Sequence, residues 1–375
     1  MKIKLGELAN IMTGNTPSMK VNEYYDSNDI PFIKPDSFKS HFKLEANSFI
    51  SNKAETKARI VGANCILVSC IGIIGKVGIT SQKVAFNQQI NSLKVKPHYD
   101  IEYIAYNLIF NKDRLQGICN SAVVPLINKS QFSNFEISIN KDIIIQRDIK
   151  SKLNLLSSII INNKKRLLLL DDIVKSRFVE MFGDPNATRT KYKLVPIHMV
   201  TDCMVPGRDK PKSFTGDIPW ITINDLNING YTNKSKLGLG LTIDEVKEVN
   251  RKCVPQGSVL MSCVGNLGLC SIASVDVVIN QQLHSYQCNE FINNLYLMYY
   301  LSFKNTYMNK IASSTTVLYM NKNACNNIPV LLPPIELQIS FAKYLNRINK
   351  LKSDVQKSID ETQLLMDSLM QEYFG

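Results

Sequence analysis

Side chains able to do covalent or metal chemistry are thinly spread in this sequence. Four histidines stand apart, none at ligand spacing from a cysteine, and nine cysteines form no C-x-x-C pair. Neither a metal site nor a bound cofactor is expected. There is no Asn-Pro-Pro-Tyr or Asp-Pro-Pro-Tyr of an adenine methyltransferase, no G-x-x-x-x-G-K-[ST] loop, and no carboxylate cluster with lysine that reads as a nuclease. Gly72-Ile-Ile-Gly75 and the string Leu237 to Gly240 lack dinucleotide spacing. No catalytic residue is therefore assigned. What does stand out is a polar, glycine-turned stretch written twice. "LVSCIGIIGKVGITSQKVAFNQQINS" (67–92) and "LMSCVGNLGLCSIASVDVVINQQLHS" (260–285) share 12 of 26 residues, 193 positions apart.

The duplication extends along the chain. "IPFIKPDSF" (30–38) matches "IPWITINDL" (218–226), "VVPLINKS" (123–130) matches "TVLYMNKN" (316–323), and "VEMFG" (179–183) matches "QEYFG" (371–375). A period of half the chain is too long for a solenoid, so a whole domain plus its following segment has been copied. Duplication preserves what both copies need, which is scaffold; recognition is expected where the copies differ.

Composition is that of a globular protein, 45% hydrophobic and 20% charged over 375 residues. No run of 18 apolar residues and no apolar signal core appear, so a cytoplasmic protein without a membrane association is expected. Cys65, Cys70 and Cys263 lie in apolar runs, where thiols behave as small buried hydrophobes. The net charge of +12 is uneven: residues 1–189 carry 26 Lys+Arg against 17 Asp+Glu, and the rest 18 against 15. A basic surplus favours a polyanionic partner.

The elements that must position these residues fall into two kinds. Short β-like runs such as "CILVSCIGI" and "LKVKP", with one helix at "DIEYIAYNLIFNKDRLQGI", make an α+β domain rich in loop, and "KCVPQGSVLMSCVG" with the helix "EFINNLYLMYYLSFKNTYMNKI" repeat the plan. Each copy then ends in a seam with apolar steps of four and three. The first runs through Ile149, Leu153, Leu156, Ile160, Leu167, Leu170, Val174 and Met181, with Asn163 and Arg177 filling the gaps. The second runs through Phe341, Leu345, Ile348, Val355, Ile359, Met366, Leu369 and Tyr373, interrupted by Lys352 and Thr362. Asp142 is the expected N-cap of the first helix, Gly183 and Pro185 its stop, and Pro333-Pro334 open the second. Two equal seams can bury each other, and the connection favours an antiparallel coiled coil with pseudo-two-fold symmetry. The expected organisation is a recognition domain at 1–141, a helix at 142–185, a second recognition domain at 186–332 and a second helix at 333–375.

In this order the chain resembles the specificity subunits of Type I restriction-modification systems. The resemblance is carried by "KLGELANIMTGNTPS" (4–18), "IPWITINDL" (218–226), the Ser-Cys glycine turn and Asn-Gln-Gln of each half, and "LPPIELQISFAKYL" (332–345). It implies two target recognition domains alternating with two conserved helical regions. It further implies a non-catalytic reader of double-stranded DNA that directs two adenine methyltransferase subunits and restriction/translocase subunits to a bipartite, asymmetric site. A stand-alone DNA-binding regulator and a coiled-coil scaffold remain the other readings.

On that resemblance, Lys and Arg fix register on phosphates while Asn, Gln, Ser, Arg and Lys reach base edges. In the first domain the expected DNA-binding residues are Lys34, Lys39, Lys43, the turn Gly72 to Lys76, and Asn128-Lys129. In the second they are Arg208, Lys210, Lys212, Lys234, the turn Gly265-Asn266, and Asn321-Lys322. Each has a structural alternative: the lysines can be merely solvated, Asn128 and Asn321 can cap a turn, and Gly72 and Gly265 can serve backbone geometry. Asn87-Gln88-Gln89 is expected to bond within the fold.

Overall fold

The structure, a computed structural model, describes residues 1–119, 124–187, 189–207, 209–314 and 317–375. It comprises two compact units, Met1–Lys165 with Val355–Gly375, and Arg166–Asp354. Each unit therefore holds one globular domain and part of each of two 40-residue helices, Ile143–Phe182 and Ile335–Phe374. At about 1.5 Å per residue each helix is about 60 Å long.

In the first unit, Ala9–Thr13, Ile90–Val95, Ile66–Ser69 and Val77–Ile79 form an antiparallel sheet in that order. A second sheet, ordered Phe49–Ile50, Ile30–Ile33, Val84–Phe86, Ile60–Val61, contains one parallel pair. The strands of the repeated stretch are continuous apolar runs because both faces are covered. Ile66, Val68 and Leu93 pack on the helix Ile101–Phe110, while Leu67 packs with Ile33, Phe86 and Ile90.

The second unit repeats the central pairings of this frame. Val259–Ser262 pairs with Leu283–Cys288 and Cys270–Ala273, and the register Val259↔Tyr286 copies Ile66↔Leu93. The pair Trp220↔Val278 copies the parallel pair Phe32↔Ala85. Its sheets have five strands, adding Tyr231–Thr232, and three. The polar segment 224–240 thus contributes Tyr231–Thr232 and the first residue of Gly240–Leu241; each is a two-residue strand, too short for its alternation to be legible.

Both helices expected in the domains are broken. Ile101–Phe110 and Lys112–Gly117 are separated at Asn111, whose Nδ2 donates to the Asn107 carbonyl at 2.9 Å. Asn294–Ser302 and Asn305–Ile311 part at Phe303 and Lys304, where the buried Lys304 ammonium donates to Pro185 O at 2.5 Å. At Asn111 the side chain competes with the next helical turn for the Asn107 carbonyl; at Lys304 the side chain reaches away from the helix to Pro185.

The long helices run antiparallel within each unit. In the first, Asn163 donates to Ser358 Oγ at 3.1 Å, while Ile149 and Leu153, earlier in the central helix, join the core that includes Met370 and Phe374, later in the C-terminal one. In the second, Asp171 pairs with Lys352, and Phe178 meets Phe341 edge-on at 5.2 Å. Ile149, Leu153, Ile160, Asn163, Val174, Leu345, Ile348 and Ile359 are buried; Leu156, Leu167, Leu170, Val355, Met366 and Leu369 are half-buried. At the ends the buried stripe moves off the strict heptad positions Arg177, Met181 and Tyr373 onto Phe178, Phe182, Met370 and Phe374. An ideal helix drifts about 20° per heptad, and there the helices pack on their domain rather than only on each other. Asp142 Oδ1 accepts the Ile144 amide at 2.8 Å, as an N-cap does.

Candidate nucleic-acid interface

The repeated stretch builds a tight polar turn at the end of a buried strand. Ser69 Oγ donates to Ile73 O at 2.6 Å and accepts from Lys76 N at 2.9 Å; Ser262 does the same with Asn266 O and Leu269 N. Gly72, Gly75, Gly265 and Gly268 all have φ between 72° and 83°, a left-handed conformation for which glycine carries no Cβ penalty. A Cβ at Gly75 would lie 2.7 Å from Lys112 Cγ, and one at Gly268 2.8 Å from Met308 Sδ. The turn is anchored outward by Gly72 N to Pro125 O and Gly265 N to Leu318 O. Behind it, Cys70 N bonds Gln89 O, Cys263 N bonds Gln282 O, and Asn87 and Asn280 bond to the glutamines two residues on. Burial pushes the Cys70 and Cys263 thiols up to about 12, so neither is a poised nucleophile. The repeat is a frame.

In the first domain this frame gathers several of the expected residues. Lys34 lies over the Phe32 ring at 5.5 Å, and Lys76 Nζ donates to Pro35 O at 2.8 Å, joining the Lys34 turn to the glycine turn. Ile127 N bonds Cys70 O, which brings Asn128-Lys129 to the same edge. Asn128 Oδ1 accepts from Gln131 N at 2.9 Å in a capping box, so its oxygen caps the helix Lys129–Asn134. Lys39 and Lys43 sit exposed on the following turn, Lys43 paired with Glu45 at 2.7 Å. That turn is held down by Phe42, buried edge-on against Tyr106, and by His41 Nδ1 at 2.8 Å from Ser157 Oγ of the central helix.

In the second domain Asn321 Oδ1 likewise caps, accepting from Ala324 N at 2.9 Å, with Lys322 beside it. Asn266, Lys234 and Lys210 are exposed, and Lys212 is paired with Glu248 at 3.4 Å. Arg208 lies outside the described residues. Gly72, Gly265, Asn128 and Asn321, expected at the interface, thus do identifiable structural work.

Three features escaped sequence reading. Gln146 and Gln338, each fully buried one turn into a long helix, accept the amides of Asp100 and Asn293 at 2.8 Å and donate to Asn140 O and Pro333 O. The signal was available, since the two stand 192 positions apart like the seams. His284 occupies the place of Asn91, with both ring nitrogens buried and unpartnered, and its pKa is lowered to about 4 by burial and then by Lys322. Arg251 is buried in the second domain, where the first has Ala58.

These features define a class: an α+β domain with a shared glycine turn, built twice, each copy followed by a long helix. A profile of the Type I restriction modification DNA specificity domain matches residues 1–170 and 205–362, and the chain belongs to that family. The Type I restriction enzyme HindI specificity subunit of Haemophilus influenzae is 32% identical over 188 residues, 47% of this chain and 40% of that protein. The MjaIX specificity subunit of Methanocaldococcus jannaschii is 23% identical over 184 residues, 48% of this chain and 43% of that one. Each match spans less than half of the relative's length. The crystal structure of a Type I restriction-modification S subunit from M. genitalium shares the fold, with TM-score 0.61 at 12% identity over 100% of this chain and 96% of that one. A structure from work on complex assembly and conformational transition of the type I R-M system does so with TM-score 0.63 at 14% identity, covering 100% and 97%. Among the described residues no helix is long and apolar enough to cross a membrane.

Proposed function

We propose that this chain is the non-catalytic DNA-recognition subunit of a Type I restriction-modification complex, working in the cytoplasm. Each duplicated domain, 1–141 and 186–332, reads one half of a bipartite, asymmetric duplex target. The helical segments, 142–185 and 333–375, present that information to two adenine methyltransferase subunits and to restriction/translocase subunits, which carry the catalysis. Lys34, Lys39, Lys43, Lys76 and Lys129 in the first domain, and Arg208, Lys210, Lys212, Lys234 and Lys322 in the second, fix register on phosphates. Asn266 and the loops that differ between copies reach base edges.

The observation that carries this reading is one frame used twice, register for register, with different charged loops set on it. Identical loops would give a symmetric target; divergent ones on a common scaffold give two different half-sites. Methylome sequencing of a host carrying the complete system, with and without this chain, is the test. The expected result is adenine methylation in a split, asymmetric motif that disappears with the chain. A contiguous palindrome, or methylation independent of the chain, would end the proposal.

A further inference from the structure

The second domain contains a buried cation with no ion-pair contact. Arg251 is only 7% exposed. Its Nη1 donates to Ile279 O at 3.2 Å and Nη2 to Asp209 O at 2.6 Å, while Nε has no partner. Among the described residues no carboxylate oxygen lies within 4 Å of it. A buried charge without a contacting counter-ion is costly, and carbonyl dipoles and the more distant Asp209 answer it only in part. Burial already draws the guanidinium's pKa below its ordinary value.

Arg251 lines a cleft of about 500 Å³, a size within the usual range for small-ligand sites. The guanidinium lies over the Trp220 ring at 5.3 Å, and Phe214 meets Trp220 edge-on at 5.9 Å. Lys210 reaches the cleft from the preceding loop, and Asn280 and Gln282 of the repeated amide stretch line it as well. A guanidinium and an ammonium suit a phosphate, an aromatic wall suits a base, and amides suit a base's polar edge.

The first domain closes the equivalent ground. Ala58 stands 193 positions before Arg251, Asn15 bonds Lys57 O and Arg59 N, and Thr16 donates to Gln88 Oε1 at 2.7 Å. The cleft therefore belongs to the copy-specific part of the molecule.

We infer that this cleft takes one nucleotide unit, its phosphate held by Arg251 and Lys210 and its base set against Phe214 and the amides of Asn280 and Gln282. The DNA-recognition reading bears only on the source, which is a nucleotide displaced from the bound duplex or a free nucleotide.

Trp220 is the only tryptophan in the sequence, so its fluorescence reports the cleft directly. The full chain is titrated with dAMP, dCMP, dGMP and TMP, and separately with inorganic phosphate. Binding of a labelled target duplex is followed by anisotropy. A saturable change is expected with at least one mononucleotide, weakened at least about tenfold by Phe214→Ala and by Arg251→Lys. Lys210→Ala, on an exposed side chain that carries no folding risk, weakens it too. Competition between mononucleotide and duplex assigns the nucleotide to the DNA; simultaneous binding assigns it to a free ligand. No saturable change with any mononucleotide overturns the inference, as does a change that inorganic phosphate reproduces and Phe214→Ala leaves intact. Duplex binding without mononucleotide binding defeats the cleft and leaves the DNA reading standing; mononucleotide binding without duplex binding does the reverse.

Discussion

The two domains make the same sharp turn in different ways. Ile79 N bonds Phe42 O, and at the matching place Ile272 N bonds Gly230 O. The first domain carries His41 and Phe42 at φ 52° and 59°, whereas the second carries Asn229 at φ 56° followed by Gly230. Asparagine and glycine tolerate such turns locally. Phenylalanine does not, and non-glycine residues in this region cost on the order of 1–3 kcal/mol each. Burial of Phe42 on Tyr106 and the His41–Ser157 contact hold them there. The basic loop of the first domain is thus fastened to the central helix, while the second domain's turn is self-sufficient.

A second contrast lies where the helices dock. Phe178 packs against Phe182, Tyr296, Tyr299, Tyr300, Phe303 and Phe341. Its counterpart 192 positions on is Met370, and Tyr300 corresponds to Asn107. The second unit is held by an extended aromatic cluster, the first by an apolar set in which Phe374 meets Tyr103 at 5.2 Å and Phe110 at 6.0 Å.

The largest effect is expected there. Phe178→Ala should cost about 3–5 kcal/mol in the stability of the second unit, and Met370→Ala a smaller amount in the first. Hydrogen exchange resolved by segment reads both, and equal losses would erase the contrast. Replacing His41-Phe42 by Asn-Gly comes next. Lost burial of about 1.5–3 kcal/mol is partly offset by released strain, so a net loss of roughly 1–2 kcal/mol is expected, with faster exchange in 38–44. Unchanged exchange there would mean that the clasp does not fasten the loop.

Gly72→Ala and Gly265→Ala should each lose about 1–2 kcal/mol, alike because the two φ angles, 73° and 72°, are alike. Denaturant midpoints of the two variants would show any inequality. Lys34→Ala and Lys234→Ala should each lower the salt slope of duplex binding by about 1 with little change in melting temperature; an unchanged slope removes that lysine from the interface. The smallest effect is the pH dependence contributed by Glu245 of the second domain. Hydrogen bonds from Ser213 and the Thr242 amide lower the exposed Glu245 carboxyl to about 2. Since its folded pKa is depressed, its contribution is present above the unfolded value near 4.5 and is lost as pH falls toward 2. Glu245→Gln should flatten the acid limb of a stability profile over that window.

Local patterns were legible in the sequence when they were simple and repeated. The seams, the Asp142 cap and the glycine turn follow from spacing, backbone chemistry and duplication. Other features were not legible because their cause is non-local. At the breaks, the Asn111 side chain takes the Asn107 carbonyl and the Lys304 side chain reaches Pro185, far along the chain. The shift of the buried stripe onto Phe178 and Phe374 depends on which domain face the helix end meets. For the candidate site, the expected lysines could be named, but their grouping through Lys76 on Pro35 could not.

By itself the sequence determined that a domain and a helix were built twice, that the helices carry paired apolar seams, and that Ser-Cys, the glycines and Asn-Gln-Gln form a common frame. Periodicity and repetition encode these directly, because each residue's role depends on neighbours a few positions away. Only the tertiary structure decided which polar groups the frame consumes, how His41 and Phe42 are kept in a strained turn, and that Arg251 is buried over Trp220 with an unmatched Nε. Those outcomes depend on atoms brought together from strands and loops up to tens of residues apart, where burial and hydrogen-bond partners, rather than residue type, set the energy.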